Sequence, residues 1–323
     1  MTEKVRWGIL STANIGRKRV IPAIHEARNS EVVAVASRNL ERAQAFADEM
    51  NIPTAYGDYE SLLNDPNVDA IYNPLPNSMH AEWAVKAAEA GKPMLCEKPL
   101  ASNADEAQMM VDTFKQRGIL FAEAFMYRFH PQTQRVKQMV EEGAIGQLKA
   151  ISAAFTFTVR TEDNIRLDAD LAGGSLMDVG CYCINLMRFI TGEEPAHVRG
   201  IAQMGAGGVD DSFSGVLEFP SGVLGHFDSS LRTFGTHTYE IRGTEGRIRV
   251  DEAFVPNLTE STRVHVWQAD HYAEVHINAG NQYTFMVEDF ADALMNNRPP
   301  RFDPQDAVEN MRVIDRLYAA AKS

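Results

Sequence analysis

Three side chains that can carry or orient a proton occur at two separate places in the chain. Lys98 follows the apolar stretch 93–96, which predicts a short buried strand, and ligands bind beyond the carboxyl ends of strands in open α/β sheets. Asp178 and Tyr182 are four residues apart within a helical pattern over 175–191, so they are expected on one face. An aspartate beside a tyrosine could orient or tune the phenol, whose ordinary pKa is about 10. The alternatives are a charged turn after a strand and a surface aspartate near a half-buried tyrosine.

Alternating strands and helices provide the support for Lys98. Apolar runs and helical stripes follow one another up to residue 124, and Gly91 and Gly118 end two of the helices. This alternation predicts an α/β domain over residues 1–124 with a doubly wound parallel sheet and right-handed crossovers. Its predicted strands are 5–10, 31–36, 54–56, 68–72, 93–97 and 119–124.

The turn after the first strand occupies the place of a dinucleotide-binding fingerprint. Of the three fingerprint glycines only Gly16 remains, and Ser11 and Ala13 replace the other two. Small residues let the backbone approach a pyrophosphate, and a helix N-terminus supplies free N–H donors. Pro22 lies inside the following helical pattern and predicts a break near residues 20–21.

The end of the second strand bears on the choice of cofactor. An acidic residue there would bind the ribose 2′-hydroxyl of NAD, but Ser37 and Arg38 stand at this point. An arginine suits the additional 2′-phosphate, so the sequence favours NADP over NAD. Asn39 as a helix N-cap beside an exposed Arg38 is an alternative that is compatible with this interpretation.

The pattern changes after residue 124, and residues 125–323 predict a second, α+β domain. A helix over 131–142 leads into a region that predicts a large, mainly antiparallel open sheet, interrupted by the helix 175–191. Helices over 281–296 and 304–321 close the chain, and the last helix could pack back on the first domain. Alternating apolar residues leave one sheet face to cover, which predicts a homodimer or a dimer of dimers. The predicted strands are 147–160, 197–205, 211–219, 223–232, 237–243, 246–251, 262–267 and 271–277.

Composition excludes several classes of protein. The formal net charge of −13 argues against a surface for nucleic acid or for an anionic membrane, although a local basic pocket for one phosphate stays possible. The N-terminus lacks the apolar core of a signal peptide, and no apolar run is long enough to span a membrane. Three cysteines in a large chain suit a reducing compartment, so we expect a cytoplasmic protein. The nine histidines show no metal-ligand spacing, and we expect no metal.

Five segments, taken together and in order, carry a resemblance to a known family. They read STANIG at 11–16, PLPNSMH at 74–80, CEKPL at 96–100, EAFMYRFHP at 123–131 and GGSLMDVGCY at 173–182. The set resembles the glucose–fructose oxidoreductase/inositol dehydrogenase (Gfo/Idh/MocA) family, and the fourth segment resembles the branch of NADP-dependent D-xylose dehydrogenases and dimeric dihydrodiol dehydrogenases. The resemblance covers essentially the whole chain and implies a Rossmann domain followed by a substrate-binding and oligomerisation domain with a large open sheet.

The resemblance assigns catalytic roles to the three side chains. It implies that Lys98 lies beside nicotinamide and substrate and that Asp178 is the active-site aspartate. Tyr182 stands where many inositol dehydrogenases have histidine, which argues against inositol as the substrate. The family commonly has a cis bond at the position of Lys98–Pro99, which would turn the lysine side chain into the cleft.

Further residues are implied as ligand contacts. The expected cofactor-binding residues are Ser11, Thr12, Ala13, Asn14, Ile15, Ser37, Arg38, Pro74, Leu75, Asn77, His80, Glu97, Lys98 and Arg166, and the expected substrate contacts are Tyr127 and Tyr283. His80 is about as often structural at such a place, and Tyr283 could serve packing alone. Glu97 either holds a ribose or caps its turn, and His130 before Pro131 is expected to form a structural corner.

The resulting hypothesis is a hydride transfer between NADP(H) and a hydroxyl carbon of a sugar or cyclic polyol. Tyr182 or Lys98 accepts the hydroxyl proton, and Asp178 binds the substrate hydroxyl or holds Lys98. Alternatives are a dihydrodiol or keto-sugar reductase, and a non-catalytic regulator that senses NADP. An enzyme whose cofactor never leaves is a further alternative, but the N-terminus lacks the arm that resembles cofactor-locking extensions.

Overall fold

The computed structural model describes residues 4–269 and 271–322, which form two compact units. The first comprises the chain up to Met126 together with Asn281–Val308, and the second comprises Tyr127–Gly280 together with the residues from Glu309 onward. The first boundary lies two residues beyond the predicted one. The return of 281–308 to the first unit differs from the predicted division, in which only the last helix could pack back.

The first unit contains the predicted parallel sheet. Its strands are β1 (Val5–Leu10), β2 (Ser30–Ala36), β3 (Thr54–Tyr56), β4 (Ala70–Asn73), β5 (Met94–Glu97) and β6 (Phe121–Ala124). They pair in parallel in the order β3-β2-β1-β4-β5-β6, which confirms the doubly wound fold. Strands β1 to β3 follow one another toward one edge of the sheet, and β4 to β6 follow one another toward the other edge. The strand order therefore reverses between β1 and β4, and such a switch point is where α/β sheets bind their ligands.

Helices connect these strands where local capping signals stand. They are α1 (Ile21–Glu26), α2 (Leu40–Met50), α3 (Tyr59–Leu63), α4 (His80–Glu89) and α5 (Ala104–Arg117). The Asn39 side chain accepts a hydrogen bond from the backbone N–H of Arg42 at 2.8 Å, and Asn103 accepts one from Glu106 at 2.9 Å. Gly118 ends α5 with φ of 65°, a left-handed conformation that glycine adopts without strain.

The second unit contains an eight-stranded sheet. Its strands are β7 (Leu148–Thr158), β8 (His197–Met204), β9 (Asp210–Glu218), β10 (Leu224–Ser230), β11 (Arg232–Gly243), β12 (Gly246–Val250), β13 (Thr262–Gln268) and β14 (His271–Ile277). The order is β14-β13-β12-β11-β7-β10-β9-β8, and only the pair of β7 and β10 is parallel. The prediction of a large, mainly antiparallel sheet is confirmed.

Two helices of the second unit follow predicted patterns, with one difference. They are α6 (Pro131–Glu141) and α7 (Cys181–Thr191). The pattern over 175–191 predicted one continuous helix, but Leu176–Gly180 forms a π-helical turn that precedes α7. A second π-helical turn, Gly16–Val20, precedes α1, where Pro22 predicted a break. π-Helical turns occur frequently at functional sites, and both of these lie in segments predicted to bind ligands.

The last two helices are α8 (Gln282–Met295) and α9 (Pro304–Ala321). α8 belongs to the first unit, where the ring of Phe290 lies 5.2 Å from that of Trp7 on β1. Asn29 donates to the backbone oxygen of Glu288 at 3.0 Å and to Asp292 at 2.8 Å. Within the described ranges, no helix has both the length and the apolarity that crossing a bilayer requires.

Candidate functional site

The turn after β1 has the features of a dinucleotide-binding turn. Ser11 adopts a φ of 90°, its amide donates to the backbone oxygen of Ala36, and its hydroxyl accepts from the amide of Ala13 at 3.3 Å. Asn14 and Ile15 begin the helical segment, and the first amides of a helix have no intrahelical acceptor. Such amides are the groups that could hold the pyrophosphate of a dinucleotide.

The end of β2 presents two arginines rather than one. Ser37 is buried, Arg38 is exposed, and the Arg42 guanidinium on α2 donates to the Thr12 hydroxyl at 2.8 Å. Burial raises the pKa of the Tyr59 phenol, and the nearby charges of Arg38 and Arg42 partly oppose that rise. Sequence reasoning missed Arg42, although its place in the first turn of the helix after this strand end was a usable signal. Two guanidinium groups beside this strand end fit a 2′-phosphate.

The end of β5 holds Glu97 and Lys98 in a turn that buried groups support. The hydroxyl of Tyr72 on β4 donates to Glu97 Oε1 at 2.6 Å, and the Lys98 amide donates to Glu97 Oε2 at 3.3 Å. This placement favours the interpretation of Glu97 as the cap of its turn, and sequence reasoning missed Tyr72. The Lys98–Pro99 bond is cis, as the resemblance implied, and Lys98 is half-buried. The nearly buried Tyr283 has a raised pKa because of burial first and the charge of Glu97 second.

His80 connects the loop after β4 to the loop after β5. Its Nε2 lies 2.8 Å from the backbone oxygen of Leu75, and its Nδ1 lies 3.1 Å from that of Pro99. Complete burial lowers the pKa of His80 below its ordinary value. This placement favours the structural alternative for His80. The predicted cofactor residues Pro74 and Leu75 are buried on the first of these loops, and the half-buried Asn77 opens a short 3₁₀ turn after them.

In the second unit, Asp178 and Arg166 form an ion pair. Arg166 Nε donates to Asp178 Oδ2 at 2.7 Å, with the Asp178 side chain 15% and the Arg166 side chain 39% exposed. The close approach of the Arg166 backbone to the start of this helical segment depends on Gly173, because a Cβ there would lie 2.4 Å from the backbone oxygen of Arg166. The amide of Gly174 also donates to that oxygen at 2.8 Å. The two glycines before the helix therefore bring the Arg166 loop against it.

Tyr182 lies in a cluster of aromatic rings at the start of α7. Its ring centroid is 5.2 Å from that of Phe155, 5.4 Å from Phe254 and 5.8 Å from Tyr127. Tyr127 is fully buried, and its hydroxyl donates to Asn185 Oδ1 at 2.7 Å. This environment favours a supporting role for Tyr127 over the expected substrate contact. Among the described residues, no three His, Cys, Asp or Glu side chains are placed to hold a metal ion.

Family models match both parts of the chain. Residues 5–125 match the model of an oxidoreductase family with an NAD-binding Rossmann fold. Residues 133–249 match the model of the GFO/IDH/MocA C-terminal domain. The two matches together span most of the chain, in the order that the sequence predicted.

Known proteins resemble the chain over most of their length. D-xylose 1-dehydrogenase (NADP(+)) 2 of Haloferax volcanii is 41% identical over 98% of this chain and 97% of its own. Trans-1,2-dihydrobenzene-1,2-diol dehydrogenase of Mus musculus is 34% identical over 78% of this chain and 76% of its own. The structure of KijD10, a 3-ketoreductase from Actinomadura kijaniata in complex with NADP and TDP-benzene, superposes with a TM-score of 0.94, 31% identity and 98% coverage of both chains. The chain therefore belongs to the Gfo/Idh/MocA family of oxidoreductases.

Proposed function

We propose that this enzyme is a sugar dehydrogenase that moves a hydride between NADP(H) and the C1 hydroxyl carbon of an aldose. The oxidoreductase class and a sugar or polyol substrate, both predicted from sequence, are confirmed by the relatives. The observation that carries the choice of an aldose is the likeness over nearly the whole chain to a D-xylose 1-dehydrogenase. Dihydrodiols and keto-sugars, the substrates in the names of other relatives, are the alternatives.

The predicted cofactor, NADP, is confirmed by relatives that are named as NADP-dependent or hold NADP. The residues of the first unit fit it. The amides after Ser11 would hold the pyrophosphate, and Arg38 with Arg42 would hold the 2′-phosphate. NADP, when bound, supplies the hydride acceptor or donor.

The catalytic side chains are proposed to be Lys98, Asp178 and Tyr182. Either the Tyr182 phenol or the Lys98 amine takes the proton from the substrate hydroxyl during oxidation and returns it during reduction. The Arg166 guanidinium orients the Asp178 carboxylate through its 2.7 Å hydrogen bond, so this carboxylate can accept a hydrogen bond from the substrate. Solved variants of the Actinomadura ketoreductase replace a lysine by alanine or glutamate and a tyrosine by phenylalanine, which are the same two residue types.

The test compares Lys98→Met with Tyr182→Phe, using Lys115→Met on the exposed face of α5 as the control. Lys98→Met should keep NADPH binding, measured by fluorescence, and should lose most of kcat with a panel of aldoses. The pH dependence of the residual rate identifies the base, because removal of the base abolishes the limb that its titration produces. Near-normal turnover of Lys98→Met would refute the assignment. NADPH binding without turnover of any sugar, dihydrodiol or keto-sugar would favour the alternative of a non-catalytic regulator that senses NADP.

We also propose a homodimer through the open face of the second sheet. Ile201 on β8 is 78% exposed, Val216 on β9 is 49% exposed and Leu224 on β10 is 51% exposed, and the strand register places all three on this face. Such exposed apolar side chains on adjacent strands favour a second copy as the cover. Analytical ultracentrifugation of wild type and Val216→Glu tests this, because the charge should shift a dimer toward monomer, whereas a monomeric wild type would refute it.

The cytoplasm is the proposed compartment. All three cysteines are buried thiols. Thiols persist in a reducing environment, which supports this assignment.

A further inference from the structure

A buried carboxylate on β9 holds the start of the helical segment that carries Asp178 and Tyr182. Asp210 is 1% exposed, and its Oδ2 accepts hydrogen bonds from the Ser175 hydroxyl at 2.6 Å and from the Leu176 amide at 2.8 Å. Its Oδ1 accepts from the hydroxyl of Tyr318 on α9 at 2.7 Å. Burial raises the pKa of Asp210, and these three donors oppose that rise.

The helical segment has no cap of its own. Ser175 stands at the N-cap position of the π-helical turn, but its side chain makes no capping bond to the helix. The Ser175 hydroxyl instead points to Asp210, and its oxygen also lies 3.1 Å from that of Ser229 on β10. A negative charge at a helix N-terminus is stabilising. Asp210 on β9 therefore supplies the acceptor for a free helix amide that a local N-cap side chain usually supplies.

Gly174 shows how closely the backbone passes over this carboxylate. It adopts a φ of 114°, and a Cβ at this position would lie 2.4 Å from Asp210 Oδ1 and 2.9 Å from the Tyr318 hydroxyl. Gly173 faces the Arg166 backbone in the same way on the other side of the turn. The first turn of the segment is therefore packed tightly between the Arg166 loop and the Asp210 side chain.

We propose that Asp210 is a positioning residue for catalysis, which acts by fixing the first turn of the helical segment that carries Asp178 and, further along, Tyr182. Asp178 follows directly in this turn, and its amide donates to the backbone oxygen of Gly174 at 2.9 Å. The inference rests on the proposed function, because it assumes that Asp178 and Tyr182 act on the substrate. All three groups donate to the Asp210 carboxylate, so an asparagine in its place removes the negative charge and one acceptor oxygen, and a hydroxyl must turn to accept from its N–H₂ group.

The first experiment measures Asp210→Asn. We expect kcat to fall about 100-fold, because small displacements of catalytic groups have effects of that size, while the dissociation constant for NADPH stays within about twofold. Two milder variants control for lost stability. Ser175→Ala removes the hydroxyl donor on the helical segment, and Tyr318→Phe removes the hydroxyl donor on α9, which also contacts the backbone of Met177 in that segment. We expect each to lower kcat by less than Asp210→Asn while the dissociation constant for NADPH stays within about twofold, and an unchanged kcat in both variants would overturn the proposal.

The second experiment places Asp210→Asn in an Asp178→Asn/Tyr182→Phe background. If Asp210 acts through these two side chains, its replacement should change the residual kcat less than threefold there, because the segment that Asp210 holds no longer carries a catalytic group. A full additional 100-fold loss in that background would overturn the proposal. Failure of the proposed function itself looks different, since Asp178→Asn/Tyr182→Phe alone would then keep near-normal turnover.

Discussion

His130 should make the second unit sensitive to mild acid. It is 1% exposed, precedes Pro131 at the start of α6, and its Nδ1 accepts the hydrogen bond from the Gln132 amide at 3.1 Å. A proton on Nδ1 would place one N–H against another and abolish this cap. Burial lowers the pKa of His130 from 6.5 to about 4. This placement agrees with the structural corner expected from the sequence.

The size of the effect follows from the two pKa values. The unfolded chain takes up the proton near pH 6.5 and the folded chain near pH 4, so stability is present above pH 6.5 and is lost as the pH falls toward 4. A difference of about 2.5 pH units at about 1.4 kcal/mol each gives a total of about 3 kcal/mol. At about pH 5 the unfolded state is already protonated and the folded state is not, so about 2 kcal/mol of stability is lost there.

Urea unfolding of wild type and His130→Asn, followed by far-UV circular dichroism at about pH 7.5 and about pH 5, measures this term. Asparagine keeps the N-cap acceptor and does not titrate, so any cost of the smaller side chain is the same at both pH values. We expect the wild type to lose about 2 kcal/mol more than the variant between them. His25→Asn, at an exposed position on α1, should behave as wild type. Equal losses in wild type and His130→Asn would refute this account.

Three further predictions concern the first unit. Arg42→Ala should raise KM for NADP about 10-fold or more and leave KM for NAD unchanged, since a charge-assisted hydrogen bond contributes about 1.5–3 kcal/mol. In steady-state kinetics, an equal rise in KM for both cofactors would contradict this. Tyr72→Phe should lower the free energy of unfolding by about 1–3 kcal/mol, because Glu97 loses a buried donor, and an unchanged urea midpoint would contradict this. Phe290→Ala should cost about 3–5 kcal/mol and alter Trp7 fluorescence, and a loss below about 1 kcal/mol would argue against tight packing of α8.

The strands were predictable because each is a local pattern. β1, β3 and β14 have the predicted bounds, since apolar runs or alternation end there at polar or turn residues. β11 shows where this reasoning is wrong. The alternation predicted 237–243, but the strand begins at Arg232. The prediction missed its first residues because 233–236 are exposed and the pairing register breaks between Arg232 and Thr236. Without a buried face, that stretch carries no periodic signal.

By itself, the sequence determined the order of the elements, the two glycines before the helical segment of Asp178 and Tyr182, and the motifs that resemble the family. Only the tertiary structure decided which partners hold these groups: Tyr72 for Glu97, Thr12 for Arg42, and Asp210 for the helix start. The physical reason is that patterning and capping act over a few neighbouring residues, whereas a buried polar group takes whichever partner the packing brings within hydrogen-bond distance. Those partners stand 25, 30 and 34 residues apart in the chain, beyond the reach of any local period.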